Sequence, residues 1–286
     1  MNIQEANYYL LNRLLCIYPK EEAANITDWV MEHLTGSKKA ERMIYKNSAI
    51  TAEEETQLLK YTERLLQHEP VQYVLNEAWF YDQKFYVDNN VLIPRPETEE
   101  LVDWVLKEVR SQKSEVRKIL DIGTGSGCIA ITLKKHLPSS YEVVACDINQ
   151  QVLSIARKNA EAANVSVDFI VLDFLNEKQR AQLPPIDFII SNPPYVPKRD
   201  KDSMNPNVVN YEPHNALFVP DNDPLIFYNA IADFGKEKLI EGGTIYVELY
   251  ENLGYPVAEL FRSKGYPNTE LKKDMQGKNR MLKAES

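Results

Sequence analysis

The sequence contains few cysteines and histidines, and their spacing argues against several classes of protein. Its 286 residues include 3 Cys, at positions 16, 128 and 146, and 4 His, at positions 33, 68, 136 and 214. No C-x-x-C pair occurs, so neither a disulfide framework nor a structural zinc site is expected, and a reducing compartment is favoured. The histidines are scattered without ligand spacing, which predicts that the protein holds no metal.

Long apolar segments and an excess of basic charge are also missing. No stretch approaches the roughly 20 apolar residues that span a bilayer. The N-terminus lacks a basic region followed by an apolar run, so we expect a cytoplasmic protein without membrane attachment. The chain has 33 Lys and Arg against 42 Asp and Glu, a net charge of −9. Because nucleic acids are bound through clustered Lys and Arg, we expect no stable nucleic-acid binding.

The remaining features divide the sequence into three parts. Residues 1–75 carry apolar side chains at helical spacing and predict an N-terminal helical domain. Within it, Thr51 and Glu54 form a capping-box pattern that opens one helix. Residues 76–95 form a linker with two aromatic runs around a polar centre, a pattern typical of a β-hairpin. Residues 96–286 make up the third part, in which we expect the catalytic domain.

The third part alternates predicted strands and helices from about residue 117. Such alternation indicates right-handed β-α-β crossovers and an open, mostly parallel sheet. Its last segment, from Thr269 to Glu285, predicts an antiparallel hairpin that turns at Gly277. The expected fold class is therefore α/β, with a Rossmann-like, mostly parallel mixed sheet that follows a small α-helical domain and a β-hairpin linker.

A glycine-rich loop follows the first strand of this sheet and leads directly into a helix. It runs Asp121-Ile-Gly123-Thr-Gly125-Ser-Gly127, and glycines at this spacing let the backbone approach a ligand closely. A dinucleotide fingerprint is possible from Gly125, with Ala130 in its closing position. The other interpretation is a tight turn without a ligand. The sequence contains neither a P-loop motif nor a G-x-S-x-G nucleophile motif.

Acidic residues end the next two strands. Asp147 lies twenty residues beyond Gly127 and can accept hydrogen bonds from both ribose hydroxyls of an adenosine, as in dinucleotide and S-adenosylmethionine sites. Its other possible role is a helix N-cap, for which Asn149 is at least as well suited. At the third strand, Asp173 can accept from an adenine amino group and Phe174 can pack on the base. A turn acid and a core Phe are the alternatives.

The fourth strand stops at Asn192-Pro-Pro-Tyr195. Two prolines end the strand and fix a stiff turn at the carboxyl edge, where open α/β sheets bind their ligands. The Asn192 side-chain oxygen and the Pro193 carbonyl can accept both protons of a planar amide or aryl amino nitrogen. That arrangement aims the nitrogen lone pair at an electrophilic methyl group. Tyr195 offers a flat face for stacking, and the chemistry needs no metal.

Four motifs together resemble the HemK family, the protein-(glutamine-N5) methyltransferases that modify peptide chain release factors. They are D-I-G-T-G-S-G at 121–127, S-N-P-P-Y at 191–195, L-I-P-R-P-E-T-E at 92–99 and Y-E-P-H-N-A-L at 211–217. The resemblance extends into the linker, where Asn76 replaces a common glycine, whereas roughly the first 65 residues are similar only as a small helical bundle. It implies a class I S-adenosylmethionine-dependent methyltransferase.

The resemblance also implies roles for individual residues. The cofactor S-adenosylmethionine is expected to bind at Gly123, Thr124, Gly125, Ser126, Gly127, Asp147, Asp173, Phe174 and Asn192. The expected acceptor is the glutamine of the Gly-Gly-Gln loop of a release factor. It would be held by Asn192, Pro193, Pro194 and Tyr195, of which Asn192, Pro193 and Tyr195 are the expected catalytic residues. Release factors are then protein partners that the N-terminal domain recognises.

Other functions remain open on the residues alone. Asn-Pro-Pro-Tyr also serves adenine-N6 methyltransferases acting on RNA or DNA, which would need a basic recognition domain. The first 90 residues instead hold 9 Lys and Arg against 14 Asp and Glu, a net charge of −5. A nicotinamide-dependent oxidoreductase would leave Asn-Pro-Pro-Tyr unexplained. A cofactor-binding protein without catalysis would not need Asn192 and Tyr195.

Overall fold

The computed structural model describes residues 1–110 and 117–286, which form two compact units. The first unit comprises residues 1–77 and 205–211, and the second comprises residues 78–204 and 212–286 as far as they are described. The segment 205–211, which follows the Asn-Pro-Pro-Tyr motif in the sequence, therefore clusters with the N-terminal helices. Most of the linker clusters with the sheet-containing unit instead.

The described α-helices are α1 (Ile3–Leu14), α2 (Lys20–Thr35), α3 (Lys39–Ile44), α4 (Ala52–Leu66), α5 (Val71–Leu75), α6 (Pro96–Arg110), α7 (Cys128–His136), α8 (Gln150–Ala162), α9 (Glu177–Arg180), α10 (Pro206–Tyr211), α11 (His214–Leu217), α12 (Ile226–Lys238) and α13 (Gly254–Ser263). The described strands are β1 (Ala78–Phe80), β2 (Gln83–Phe85), β3 (Arg117–Ile122), β4 (Tyr141–Asp147), β5 (Asp168–Val171), β6 (Ile186–Ser191), β7 (Val196–Pro197), β8 (Phe218–Val219), β9 (Leu239–Glu248), β10 (Asn268–Lys273) and β11 (Asn279–Glu285).

The first unit is built around a helical core of its own. Leu10 of α1, Val30 of α2 and Leu65 of α4 are fully buried in one apolar cluster. The predicted capping box opens α4, because the Thr51 hydroxyl accepts from the Glu54 amide at 3.1 Å and the Glu54 carboxylate accepts from the Thr51 amide at 2.6 Å. Both bonds satisfy backbone amides that a helix start otherwise leaves unpaired.

The predicted hairpin is confirmed as β1 and β2. Ala78 lies opposite Phe85 in antiparallel register, and Tyr81 and Asp82 form the turn with φ of +51° and +57°. Two consecutive residues at positive φ are the geometry of the tight turn that matches strand twist. Just before the hairpin, Asn76 ends α5 at φ +54°. Asn tolerates this left-handed conformation second only to Gly, which explains the replacement of the common glycine.

The main sheet of the second unit has seven strands in the order β10-β11-β9-β6-β3-β4-β5. All neighbours from β9 to β5 pair in parallel, whereas β11 pairs antiparallel with both β9 and β10. The chain moves outward from β3 through β4 to β5 and then returns to the other side of β3 with β6. This reversal is a topological switch point, where open sheets leave a crevice beyond the strand ends.

Apolar residues of the sheet alternate between two buried clusters, one on each face. Phe188 of β6 packs in the cluster that contains α6 and α7, whereas its neighbour Ile189 packs in the cluster that contains α12 and α13. The final hairpin turns at Gly277, whose φ is +83°. The predicted α/β class, with a mostly parallel sheet and an antiparallel C-terminal hairpin, is confirmed. Among the described helices, none is both long and apolar enough to cross a membrane.

Candidate active site

The glycine-rich loop occupies the turn from β3 to α7. The Asp121 carboxylate at the end of β3 is fully buried, and its Oδ2 accepts from the Thr124 hydroxyl at 2.6 Å and from the Ala130 amide at 3.2 Å. Burial raises the pKa of Asp121 to about 7, against the lowering effect of these two hydrogen bonds. No role for Asp121 is predicted from the sequence. In the structure its carboxylate fixes the shape of the loop by binding Thr124 and the start of α7.

The glycines of the loop face different surroundings. A Cβ added at Gly123 or Gly125 meets no other protein atom within 4 Å, although both residues have positive φ. A Cβ at Gly127 would lie 2.8 Å from Ile131 Cδ1 and 3.2 Å from Ala156 Cβ. Gly127 is therefore required by close packing between helices, whereas Gly123 and Gly125 border open space.

Asp147 ends β4 beside this loop. Its Oδ2 accepts from the Gly125 amide at 3.2 Å, and its Oδ1 accepts from the Asn149 amide at 3.1 Å. The N-cap of α8 is Asn149, whose side chain accepts from the Gln151 amide, so Asp147 is not needed as the cap. Burial raises the pKa of Asp147 from its usual value, while the backbone amides lower it. Each carboxylate oxygen keeps lone pairs for a further donor.

Asp173 and Phe174 lie just beyond β5. Asp173 Oδ1 accepts from the Leu175 amide at 3.0 Å, which fixes the turn. The Phe174 ring is buried and meets Phe234 edge-on, with ring centroids 5.3 Å apart. One face of the turn thus presents an acid and an aromatic ring side by side.

The Asn-Pro-Pro-Tyr segment follows β6 on the other side of β3. The Ser191 hydroxyl donates to the Ile122 carbonyl at 2.8 Å and ties the ends of the two strands together. The Asn192 side-chain amide donates to the Thr98 hydroxyl at 3.0 Å. Tyr195 donates to Glu248 at 3.0 Å and stacks on Tyr250, with ring centroids 6.0 Å apart. After the motif, β7 pairs in parallel with β8, which anchors the exit of the turn.

Thr98 and Glu248 are site residues that the sequence analysis did not assign. Thr98 lies in the first turns of α6, and its hydroxyl donates to Glu248 Oε2 at 2.6 Å. Glu248 ends β9 and is almost completely buried. Burial raises its pKa to about 7, opposed by the hydrogen bonds from Thr98 and Tyr195. The available signals were a carboxylate directly after the apolar run Ile245-Tyr-Val247 of β9 and the place of Thr98 in the L-I-P-R-P-E-T-E motif.

A cavity of about 260 Å³ joins these segments at the switch point. The predicted residues that line it are Gly123, Gly125, Asp147, Asp173, Phe174, Asn192, Pro193 and Pro194. The wall also contains the unassigned residues Asn90, Val91, Leu92, Asn215, Ala216 and Phe227. Four other predicted residues, Thr124, Ser126, Gly127 and Tyr195, lie within two positions of a wall residue in the sequence and are not part of the wall.

The composition of this wall suits a ligand with polar and apolar parts. Asp147 and Asp173 lie on the side of β4 and β5 together with apolar Leu172 and Phe174, and Ile122 lies at the end of β3. The amide side chain of Asn192 closes the side of β6. Within the described ranges, no group of three or more His, Cys, Asp or Glu side chains is placed to hold a metal ion.

Comparison with known proteins gives matches over both units. The chain matches the methyltransferase small domain over residues 103–211 and the PrmC N-terminal domain over residues 13–75. It is similar to the release factor glutamine methyltransferase of Flavobacterium psychrophilum, at 39% identity over 99% of each chain. The enzyme of the same name from Bacteroides thetaiotaomicron is 40% identical, over 96% of this chain and 97% of the relative. A solved methyltransferase from Pyrococcus furiosus has a similar fold, with a TM-score of 0.50 at 15% identity, over 82% of this chain and 98% of that one.

Proposed function

The chain belongs to the family of release factor glutamine methyltransferases, and on that basis we propose that it carries out this reaction. It transfers a methyl group from S-adenosylmethionine to the side-chain amide nitrogen of a glutamine, the one in the Gly-Gly-Gln motif of peptide chain release factors. One observation carries the proposal: Asn192 and Pro193 border the same cavity as Gly123, Asp147 and Phe174. A motif that orients an acceptor nitrogen and residues suited to adenosine thus share one space.

The residues of the cavity fit S-adenosylmethionine. Gly123 and Gly125 leave room that a Cβ would fill, which allows the backbone to approach the cofactor closely. Asp147 retains lone pairs for the two ribose hydroxyls. We assign Asp173 to the edge and Phe174 to the face of the adenine, and the position of both residues in the cavity wall supports this assignment.

The chain must orient the acceptor, because the lone pair of a planar amide nitrogen is delocalised. When bound, S-adenosylmethionine supplies an electrophilic methyl group and leaves as a neutral thioether. Asn192 Oδ1 and the Pro193 carbonyl accept the two N–H protons of the glutamine amide and fix the nitrogen for attack. The nitrogen becomes positively charged as the nitrogen–carbon bond forms, and it then loses one of these protons to water, because an amide oxygen and a peptide carbonyl accept hydrogen bonds but are too weakly basic to keep a proton. Pro193 and Pro194 keep the turn rigid.

We also propose that residues 1–75 recognise the release factor. The match to the PrmC N-terminal domain over residues 13–75 and the separate helical core support this role. Its surface carries three consecutive exposed apolar side chains, Met43, Ile44 and Tyr45, each more than 60% exposed. Replacing all three with Ser should raise the KM for the factor and leave cofactor affinity unchanged. An unchanged KM would remove this surface from the proposal.

A labelling assay tests the reaction. The protein is incubated with methyl-labelled S-adenosylmethionine and, in separate reactions, with release factor, adenine-containing DNA or RNA. We expect label only in the factor, and none in a factor whose Gly-Gly-Gln glutamine is replaced by Ala. Label that enters nucleic acid and not the factor would contradict the proposal in favour of an adenine-N6 methyltransferase.

A further inference from the structure

Three hydrogen bonds link Asn192 to Tyr195 through two residues that are remote in sequence. Asn192 Nδ2 donates to Thr98 Oγ1 at 3.0 Å, and the Thr98 hydroxyl donates to Glu248 Oε2 at 2.6 Å. Tyr195 then donates to the other carboxylate oxygen, Glu248 Oε1, at 3.0 Å. Both ends of the acceptor motif are thus held by one carboxylate that is almost completely buried.

The direction of these bonds follows from how many protons each group has. A threonine hydroxyl has one proton, and an ionised carboxylate can only accept. The Thr98 proton is therefore committed to Glu248, and only a lone pair of Thr98 faces Asn192. That lone pair must meet the Nδ2 end of the Asn192 amide, because two oxygens without a proton between them would repel.

This polarity decides which end of the Asn192 side chain is free. With Nδ2 fixed on Thr98, Oδ1 is the end that remains available at the cavity wall, where Asn192 lies. We propose that Thr98 and Glu248 are positioning residues for methyl transfer, which hold the Asn192 amide with Oδ1 ready to accept an N–H of the acceptor. The inference rests on the proposed function, because it assigns a use to that oxygen.

Ionisation of Glu248 controls the direction of the hydrogen bonds between Glu248, Thr98 and Asn192. A protonated Glu248 can donate to Thr98, which frees the Thr98 proton to turn toward Asn192. The Asn192 amide then turns so that Oδ1 accepts a hydrogen bond from Thr98. In that orientation Oδ1 no longer accepts an N–H of the glutamine amide. Burial raises the pKa of Glu248 to about 7, so this change falls within the pH range of ordinary assays.

Groups from four elements face the Glu248 carboxylate or its backbone. Arg280 of β11 lowers the pKa of Glu248 and Glu97 of α6 raises it. The Tyr228 hydroxyl of α12 donates to the Glu248 carbonyl at 2.9 Å. Cys128 begins α7, and burial, then Asp121 and to a smaller extent Glu248 raise the pKa of its thiol. Tyr228 and Cys128 stay neutral near pH 7, since burial raises the pKa of both. Glu248 is therefore the group bonded to Thr98 and Tyr195 that titrates there, whereas Asp121, whose pKa is also about 7, is bonded to Thr124 and Ala130 in the glycine-rich loop.

Substitutions at Thr98 separate positioning from folding. Thr98→Val keeps the shape and removes the hydroxyl, and we expect kcat to fall by about 10- to 100-fold, the scale of losing a hydrogen-bond partner that orients a functional side chain. The cofactor Kd should stay within about twofold of wild type, since Thr98 is not part of the cavity wall. Thr98→Ser should restore most of kcat. The matched control is Thr132→Val, since Thr132 is buried and its hydroxyl has no hydrogen-bond partner in the described part of the chain.

The pH profile and a spectrum test the role of Glu248. Wild-type kcat should rise with pH through about 7, and Glu248→Gln should lose this rise. With ¹⁵N-labelled asparagine, the Asn192 side-chain NH2 signals, identified by their loss in Asn192→Ala, should titrate in wild type and not in Glu248→Gln. These signals need no turnover.

The outcomes distinguish the two proposals. Full activity of Thr98→Val, or Asn192 signals that do not respond to pH in an enzyme that methylates the factor, would overturn the positioning network. Asn192 signals that titrate as expected, in a protein that does not methylate any release factor, would support the network and contradict the proposed function.

Discussion

The guanidinium of Arg95 donates to the buried carboxylate of Glu212 at 2.5 Å, although the two residues are 117 positions apart in the chain. The other carboxylate oxygen of Glu212 accepts from the Ile93 amide at 3.2 Å. Residues 90–92 precede this pair and residues 215–216 follow it, and both segments line the cavity. The ion pair therefore fastens two walls of the candidate cofactor site to each other, and it joins the L-I-P-R-P-E-T-E and Y-E-P-H-N-A-L motifs.

Removing the cation from this pair should loosen the cavity. In Arg95→Met the Glu212 carboxylate stays buried with one backbone donor, and we expect the protein to lose about 1–3 kcal/mol of stability. Affinity for S-adenosylmethionine should fall by about tenfold or more, equivalent to about 1.4 kcal/mol, as measured by calorimetry. The control is Arg199→Met, which breaks an exposed pair with Asp200 at 3.9 Å and should change neither quantity. Unchanged cofactor affinity in Arg95→Met would contradict the link.

Local sequence patterns predicted the site residues that lie at strand ends. They did not predict the residues whose hydrogen-bond partners lie far away in the sequence. Asn192 could be placed because two prolines must end a strand and parallel strand ends share one edge. Glu248 gave no comparable signal, because its partners Thr98 and Tyr195 lie 150 and 53 residues away. The short elements α9, α10, α11, β7 and β8 were not predicted, since segments of two to six residues hold too little periodicity.

Substitutions in the glycine-rich loop can distinguish a loop that binds a ligand from a tight turn that binds none. Gly125 has φ +56° and Gly242, in β9, has φ +74°, and an added Cβ meets no atom within 4 Å at either position. Ala at either site should therefore lose a similar stability, about 1–2 kcal/mol of left-handed strain, as measured by urea unfolding. Only Gly125→Ala should also weaken S-adenosylmethionine binding. Equal cofactor affinity in the two variants would favour a turn without a ligand.

Asp147→Ala should weaken S-adenosylmethionine binding by about 1–3 kcal/mol, the loss expected for hydrogen bonds to a charged group. Because Asp147 also accepts from the Gly125 and Asn149 amides, Asp147→Asn serves as a milder variant that keeps one acceptor. Asp168→Ala, at an exposed position on the neighbouring strand β5, is the control. Calorimetry that gives equal affinities for Asp147→Ala and wild type would refute the ribose contact.

Asn192→Ala should nearly abolish methyl transfer, since the loss of a preorganised acceptor costs about 100- to 1,000-fold in kcat. Cofactor affinity should change little, because Asp147 and the loop remain in place. Single-turnover transfer to the release factor measures the first quantity and calorimetry the second. Asn222→Ala, at an exposed turn position, is the control, and substantial turnover by Asn192→Ala would rule out the acceptor-orienting role.

The titration of Glu248 should also make the free energy of unfolding depend on pH, whether or not a substrate is bound. Its pKa is about 7 in the folded protein against a usual 4.5, so between these values the folded state holds a proton that the unfolded chain has lost. Stability must then fall as pH rises through this window, by about 1.4 kcal/mol per pKa unit and on the order of 3 kcal/mol in all. Glu248→Gln cannot titrate and escapes this loss.

Urea unfolding of wild type and Glu248→Gln from pH 4.5 to pH 8 measures the difference. The variant should gain stability relative to wild type as pH rises, whereas Glu270→Gln, at an exposed position of β10, should run parallel to wild type. Because deprotonation of folded Glu248 both ends the loss of stability and sets the direction of the Thr98 hydroxyl, the stability difference should level off near the pH at which kcat reaches half of its rise, about 7. Parallel curves for wild type and Glu248→Gln would show that this carboxylate does not titrate in the window, and a rise of kcat there would then belong to another group.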